Sequence, residues 1–319
     1  MFPVVDQLVL TSVVDNSYDI FAPGGKFGGV TIQRTPVPHP CGSGPVLLSE
    51  HGLAYHLEST CGSERREILF DFSLTCSTLT NNYQALKVDP AKADALILSH
   101  GHDDHYGGLP EFVRAFQNRF RPGIHLYAGG EDTFAHRWAV KDDGKKSDRG
   151  QLSRADLESR GIKVVLAQEP AVIADHAITS GRIPRHTDFE ITPPSARVEA
   201  TSGELVKDSF QGELATAYHV KSRGLVVISS CGHAGIVNTT RHFQKITGVD
   251  HIHAVVGGWH LAPYSDEITG KTIAALRDIN PDYFVPMHCT GFRALAAIHR
   301  DVPGKLILPA TGTRVIFGA

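Results

Sequence analysis

Three imidazoles and two carboxylates crowd the six residues His100-Gly101-His102-Asp103-Asp104-His105, directly after the apolar run from Ala95 to Leu98. Imidazole and carboxylate together suit Zn²⁺, and also Mn²⁺ or Fe²⁺, and four such donors (His100, His102, Asp104, His105) in one turn make sense where two ions sit side by side. Two ions about 3.5–4 Å apart share a bridging hydroxide and lower the pKa of the bound water toward ~7. Such a centre attacks an electrophilic carbon or phosphorus and stabilises charge on the substrate oxygen. Most histidine-containing loops are only polar turns; the donor density sets this one apart.

Four donors cannot close two sites, so the pattern calls for further ligands at other strand ends. His233 follows the run Leu225 to Ser230, His260 follows Ala254 to Val256 and a Gly257-Gly258 pair, and His288 follows Tyr283 to Pro286. The C-terminal tips of strands are where α/β sheets gather functional residues. Any one of these histidines alone reads as a hydrogen-bonded structural residue. Taken with the loop, His233 and His288 read as metal ligands, while His260 stands between a structural and a functional role. Asp71 also ends an apolar run, Ile68-Leu69-Phe70. A buried carboxylate there needs loop amides or a ligand histidine's second nitrogen as partners, or else it caps a turn or helix.

These residues are carried by a strand-rich α/β chain. Short apolar runs at 45–50, 66–73, 94–100, 123–129, 163–167, 224–233, 251–260, 283–289, 305–310 and 313–317 read as strands or strand ends. Helical spacing of apolar residues falls near 77–88, 106–120, 151–160, 235–246, 266–279 and 290–300. That alternation predicts layered sheets with helices outside. The stretch from about 130 to 215 is more polar and reads as a lid-like insertion. Without a fixed repeat, a low-complexity tract or a linker, residues 1–319 read as one domain.

Composition narrows the functional class. A net charge of −3, 41% apolar and 20% charged residues describe an ordinary globular protein with no pull toward nucleic acid or membrane. The five cysteines, Cys41, Cys61, Cys76, Cys231 and Cys289, are scattered and never spaced as CxxC, which argues against a disulfide framework and a thiolate zinc knuckle. No run is long and apolar enough for a membrane helix, and the opening MFPVVDQLVLTS lacks the features of a signal peptide. A cytoplasmic location is expected.

Asp71, the HxHxDH loop with Gly107-Gly108-Leu109 after it, and the late histidines together resemble the metallo-β-lactamase superfamily along nearly the whole chain. Within it, Glu50-His51-Gly52-Leu53, Ser99-His100-Gly101-His102, Cys231-Gly232-His233-Ala234-Gly235-Ile236-Val237-Asn238, Gly257-Gly258-Trp259-His260-Leu261 and His288-Cys289-Thr290-Gly291 are similar to the branch named for dihydropterin ribofuranosylaminobenzene phosphate synthase. The resemblance implies an αββα sandwich with the metals at one edge of the paired sheets. It implies that His100, His102 and His233 hold one ion and Asp104, His105 and His288 the other. One departure stands out. The superfamily places a bridging aspartate where Cys231-Gly232-His233 lies here, so His233 takes either the third-histidine role or the bridging role, with His186 an outside candidate.

The expected function is that of a dinuclear metal-dependent hydrolase, most simply with two Zn²⁺, acting through a metal-bridging hydroxide on an ester, phosphoester or lactam. Asp104 would orient the nucleophile, and His260 or His51 would serve as general acid. Arg182 and Arg185 match the geometry of a substrate phosphate or carboxylate, although both also read as solvated loop residues. The alternatives are the condensing transferase that names the branch, for which Phe134, Arg137, Trp138 and Phe189 offer weak support, and a non-catalytic metal-binding protein. The partner is expected to be a small, anionic or phosphorylated substrate, with homo-oligomerisation left open.

Overall fold

Two β-sheets face each other across a shared apolar layer in the computed structural model, which describes residues 2–35 and 45–318. The larger sheet runs in the order Lys163–Leu166, His125–Ala128, Ala95–Ile97, Glu64–Phe70, Ala54–Cys61, Gln7–Val14, Thr313–Phe317, Val30–Arg34 and Gly25–Phe27. Its first four strands are parallel and the rest antiparallel. The second sheet runs Val172–Ile173, Ala177–Thr179, Thr216–Val220, Gly224–Ser229, Ile252–Gly257 and Tyr283–Pro286, with Val4–Val5 paired beside Thr216–Val220. Its last three strands are parallel, so three C-terminal tips open on the same edge.

The layers follow from side-chain alternation. In Gly224–Ser229, Val226 and Ile228 enter the layer between the sheets, whereas Leu225 and Val227 pack under the helices Ile236–Thr247, Asp266–Ile279 and Phe292–Asp301. A strand buried on both faces reads as a continuous apolar run, which is why it is visible in the sequence. On the outer side of the larger sheet, Leu69, Leu96 and Leu98 pack against Leu79, Leu109, Phe112 and Leu157, carried by the helices Cys76–Ala85, Leu109–Phe116 and Arg154–Ser159. Each fully buried Leu, Ile or Val contributes about 1.5–3 kcal/mol relative to exposure. The result is the expected αββα sandwich.

Two apolar runs expected to be strands are not. Residues 45–50 are irregular because Asn82 takes over their backbone, its side chain accepting from the Leu48 N–H and donating to the Leu48 and Val13 carbonyls. Residues 305–310 form only an isolated bridge, Leu306 with Phe284. Conversely, the strands Gln7–Val14, Ala54–Cys61 and Thr216–Val220 were not read from the sequence. In Ala54–Cys61 alternate positions are polar, His56 and Glu58 among them, which breaks the apolar run.

The stretch 130–215 divides into two parts. Lys163–Leu166, Val172–Ile173 and Ala177–Thr179 extend the two large sheets. Arg137–Val140, Lys146–Asp148, Ala196–Glu199 and Leu205–Lys207 form a separate four-stranded antiparallel sheet. No helix among the described residues is long and apolar enough to cross a membrane. Cys41 lies outside the described residues.

Candidate metal centre

The histidine loop begins where the buried strand Ala95–Ile97 ends and closes with the short helix Asp103–Tyr106, of which His102 is the N-cap residue. Gly101 allows the loop to pass the neighbouring chain, since a Cβ there would stand 2.0 Å from the Thr133 carbonyl oxygen. Arg137, itself 2% exposed, donates to the Gly101 and Thr133 carbonyls at 3.4 and 3.2 Å and pairs with Asp208 at 2.8 Å. A buried guanidinium is tolerated only when paired in this way. Asp208 also accepts from the Phe210 N–H at 2.9 Å, and the Phe210 ring stacks on His233 at 4.0 Å.

On one side of the loop, ligand atoms of His100, His102 and His233 lie within 4.8 Å of one another. Both ring nitrogens of His233, and Nε2 of His100, are buried without a hydrogen-bond partner. His100 Nδ1 is engaged by the Ser99 hydroxyl at 2.8 Å, which leaves Nε2 to face the cluster. Burial pushes the pKa values of His100, His102 and His233 well below the usual imidazole value, which favours their neutral forms. Each unpartnered buried nitrogen costs about 1–3 kcal/mol, and a cation shared by the three would remove that cost. The residues therefore fit a divalent transition metal. His233 is presented by a loop whose His233 and Ala234 N–H groups donate to the buried Glu213 carboxylate.

On the other side, Asp104 Oδ2 lies 3.5 Å from His105 Nε2, 3.3 Å from His288 Nε2 and 3.4 Å from His51 Nε2. His51 also stacks on His288, with ring centroids 5.3 Å apart. His105 is oriented from behind by Asp71, whose carboxylate accepts from His105 Nδ1 at 2.7 Å, from the Ser99 N–H and hydroxyl at 2.8 Å each, and from the Ser230 hydroxyl. Asp71 thus supports a candidate ligand rather than capping a helix; the helix Cys76–Ala85 is capped by Thr75. His288 is set by Asp15, which accepts its N–H at 3.0 Å, and by Asn16 at 3.1 Å from Nδ1. Burial would raise the Asp104 carboxyl, but the His105 and His288 imidazoles outweigh it and hold it well below the usual range. Burial likewise opposes protonation of His105, and the Asp104 and Asp71 carboxylates override it, pushing that pKa well up.

Between the two clusters stands Cys231, which the sequence reading did not nominate as a ligand. Its Sγ is 3.2 Å from His105 Nε2 and groups with His100 as well as His105. His233 falls with His100 and His102, so Cys231 occupies the ground between the clusters. Exclusion of cysteine by the absence of CxxC spacing applies to self-contained thiolate sites; here the companions come from other strands. His260 lies half-buried with a positive φ of 46°, its ring 4.3 Å from that of His233, and its ligand atom groups with the sulfurs of Cys231 and Cys289.

The centre opens into a cavity of about 240 Å³ lined by His51, His102, Asp104, Trp138, Arg149 and His260. Trp138, Ala139 and Ala196 of the small sheet form its far wall. Its cationic side chain is Arg149, 3.5 Å from Asp103. Arg182 and Arg185 are exposed on another segment, where Arg185 donates to the Ser209 carbonyl at 3.0 Å. His186 is also exposed there, its N–H held by Asn238 at 3.0 Å. Phe134 and Phe189 pack into the apolar clusters instead of the cavity.

The family profile described as Metallo-beta-lactamase superfamily matches residues 60–288. A Methanocaldococcus jannaschii protein named 7,8-dihydropterin-6-methyl-4-(beta-D-ribofuranosyl)-aminobenzene-5'-phosphate synthase is 30% identical over 275 residues, covering 85% of this chain and 90% of that protein. An uncharacterised protein of the same organism is 28% identical over 253 residues, covering 79% of this chain and 88% of its own length. Among solved structures, the crystal structure of Tm1679, described as a metal-dependent hydrolase of the beta-lactamase superfamily, superposes with a TM-score of 0.71 at 22% identity, covering 96% of this chain and 98% of that one.

Proposed function

The chain belongs to the metallo-β-lactamase superfamily, and from that premise we propose that it is a dinuclear metal-dependent hydrolase of a small anionic ester, phosphoester or lactam. The observation that carries the reading is the set of buried, unpartnered nitrogens on His100 and His233, converging with His102 beside a second cluster of Asp104, His105 and His288. His100, His102 and His233 would hold one ion, Asp104, His105 and His288 the other, with Cys231 between them. Bound divalent ions, most simply Zn²⁺, supply a water nucleophile usable near neutral pH and Lewis-acid stabilisation of the substrate oxygen.

The chain's own residues do the rest. Asp71 orients His105 through Nδ1, which leaves Nε2 facing the centre. Asp104 presents its carboxylate to three imidazoles at once. His260 and His51 line the cavity, and either places a titratable nitrogen where a leaving group needs a proton. Arg149 at the rim supplies the positive charge that an anionic substrate requires.

The 30% identity to a named synthase supports a second reading, a condensing transferase built on the same centre. One experiment separates the two. Protein purified without chelator is analysed for metal, then assayed against a panel of phosphoesters and lactones and, separately, for condensation of a dihydropterin with a phosphorylated aminobenzene riboside. About two transition-metal ions per chain with turnover on the panel is the expected outcome; condensation without hydrolysis selects the transferase. Fewer than two ions in fully loaded protein overturns the dinuclear centre.

A further inference from the structure

The sulfurs of Cys231 and Cys289 lie 3.3 Å apart, with the two residues only 2% and 8% exposed. They arrive on different elements, Cys231 in the turn after the strand Gly224–Ser229 and Cys289 in the 3-10 turn His288–Thr290 that follows Tyr283–Pro286. The strand between these two, Ile252–Gly257, is followed by Gly258, where a Cβ would stand 2.7 Å from the Cys289 sulfur and 2.2 Å from the Ser230 carbonyl. The middle strand thus places no side chain between the thiols. On the far side, Cys231 is 3.2 Å from His105 Nε2, and His260, which lines the open cavity, has its ligand atom within 4.8 Å of both sulfurs.

We propose that Cys231 and Cys289 form an oxidisable dithiol inside the centre, and that a peroxide converts it to a disulfide that withdraws the Cys231 sulfur from the metal ligands. The second half rests on the dinuclear reading above; formation of the disulfide does not. A disulfide needs sulfurs about 2.05 Å apart, so from the present 3.3 Å contact the two sulfurs must close by little more than ~1 Å.

The chemistry balances with hydrogen peroxide. The Cys289 sulfur attacks one peroxide oxygen, the O–O bond breaks, and Cys289 becomes a sulfenic acid as one water leaves. The Cys231 sulfur then attacks the sulfenic sulfur, the S–S bond forms, and the hydroxyl leaves with the remaining thiol proton as a second water. Two thiols lose two electrons and the two peroxide oxygens gain them. A disulfide sulfur is a far poorer ligand than a thiolate. The new bond also ties together the two strand tips that carry His233 and His288.

The test uses the full chain, reduced, in zinc-free and zinc-loaded forms. Each is treated with one equivalent of hydrogen peroxide, alkylated, digested and examined by mass spectrometry, with zinc measured before and after. The expected result is a Cys231–Cys289 linked peptide in the zinc-free form, slower linkage in the loaded form, and loss of about one zinc per chain once linkage forms, reversed by dithiothreitol. Cys289→Ser should retain zinc and yield no linked peptide. Thiols that remain alkylatable, or that oxidise singly to sulfinic acids, overturn the proposal, and so does linkage with unchanged zinc content. If the untreated chain takes up no zinc, the dinuclear reading fails and the withdrawal step falls with it. A chain that binds zinc yet forms no linked peptide refutes the dithiol alone.

Discussion

His233 meets the interior with both ring nitrogens buried and unpartnered, whereas Asp104, across the same loop, already has His51, His105 and His288 within 3.5 Å. The first half of the centre has no carboxylate and leaves both His233 nitrogens and His100 Nε2 buried and unpartnered; the second gathers three imidazoles around the Asp104 carboxylate, with His288 Nε2 at ion-pair distance from it but outside hydrogen-bond geometry. An ion entering the His100, His102 and His233 cluster displaces no proton and relieves buried nitrogens. An ion entering the Asp104 half must drive protons off His105 and His288, so its affinity should rise more steeply with pH. One side is prepared for a cation by deprivation, the other by charge.

The sharpest way to break this contrast is Asp104→Asn. It removes the anionic member of the second half with little change in volume, and turnover is expected to fall about 10³-fold or more. Asp103→Asn is the control, because Asp103 lies at the cavity rim 3.5 Å from Arg149 and groups with none of the candidate ligands. Steady-state kinetics on both variants decides it: equal losses would show that the wrong carboxylate has been assigned.

Next in size, His233→Ala should weaken the ion of the His100, His102 and His233 cluster by at least about 100-fold, since even partners behind a ligand are worth ~10–100-fold. His51→Ala, at an exposed imidazole, should change that ion's affinity little. Competition against a chelator reads both, and equal weakening would erase the distinction between the halves.

Arg137→Lys tests whether the tie between the small sheet and the histidine loop matters. Lysine keeps the charge but loses the guanidinium fork that reaches the Gly101 and Thr133 carbonyls while pairing with Asp208. Affinity for the ion of the His100, His102 and His233 cluster should drop about 10-fold with the fold retained; unchanged affinity would make Arg137 a purely structural residue.

The smallest effect is on stability without metal. The pKa values of His100, His102 and His233 lie below the usual 6.5 because of burial. As pH falls below that value the unfolded chain takes up protons that the folded chain refuses, so these residues make the protein less stable in acid. His105 and His288, raised mainly by their anionic neighbours against the effect of burial, contribute the opposite sign. Their contribution is fully present below 6.5 and is lost as pH rises through the folded values. Melting of metal-free protein between about pH 7.5 and 5.5 should therefore fall less in His233→Ala and more in Asp104→Asn than in the parent chain. The reverse order would overturn the assignment of charge to the two halves.

The amino-acid sequence by itself determined the superfamily, the alternating strands and helices, and the candidates His100, His102, Asp104, His105, His233 and His288. All of these are local signals. The donors of one loop are adjacent in the chain, and each late histidine follows a strand whose two buried faces leave a continuous apolar run. Only the tertiary structure decided that His233 stands with His100 and His102, that Cys231 occupies the ground between the clusters, that Asp71 backs His105, and that Arg149, not Arg182 or Arg185, faces the cavity. Those relations join residues far apart in the chain, 34 positions for Asp71 and His105 and 126 for His105 and Cys231. They are set by which strands hydrogen-bond side by side and where their tips end, and a ladder of backbone bonds leaves no mark on residue type.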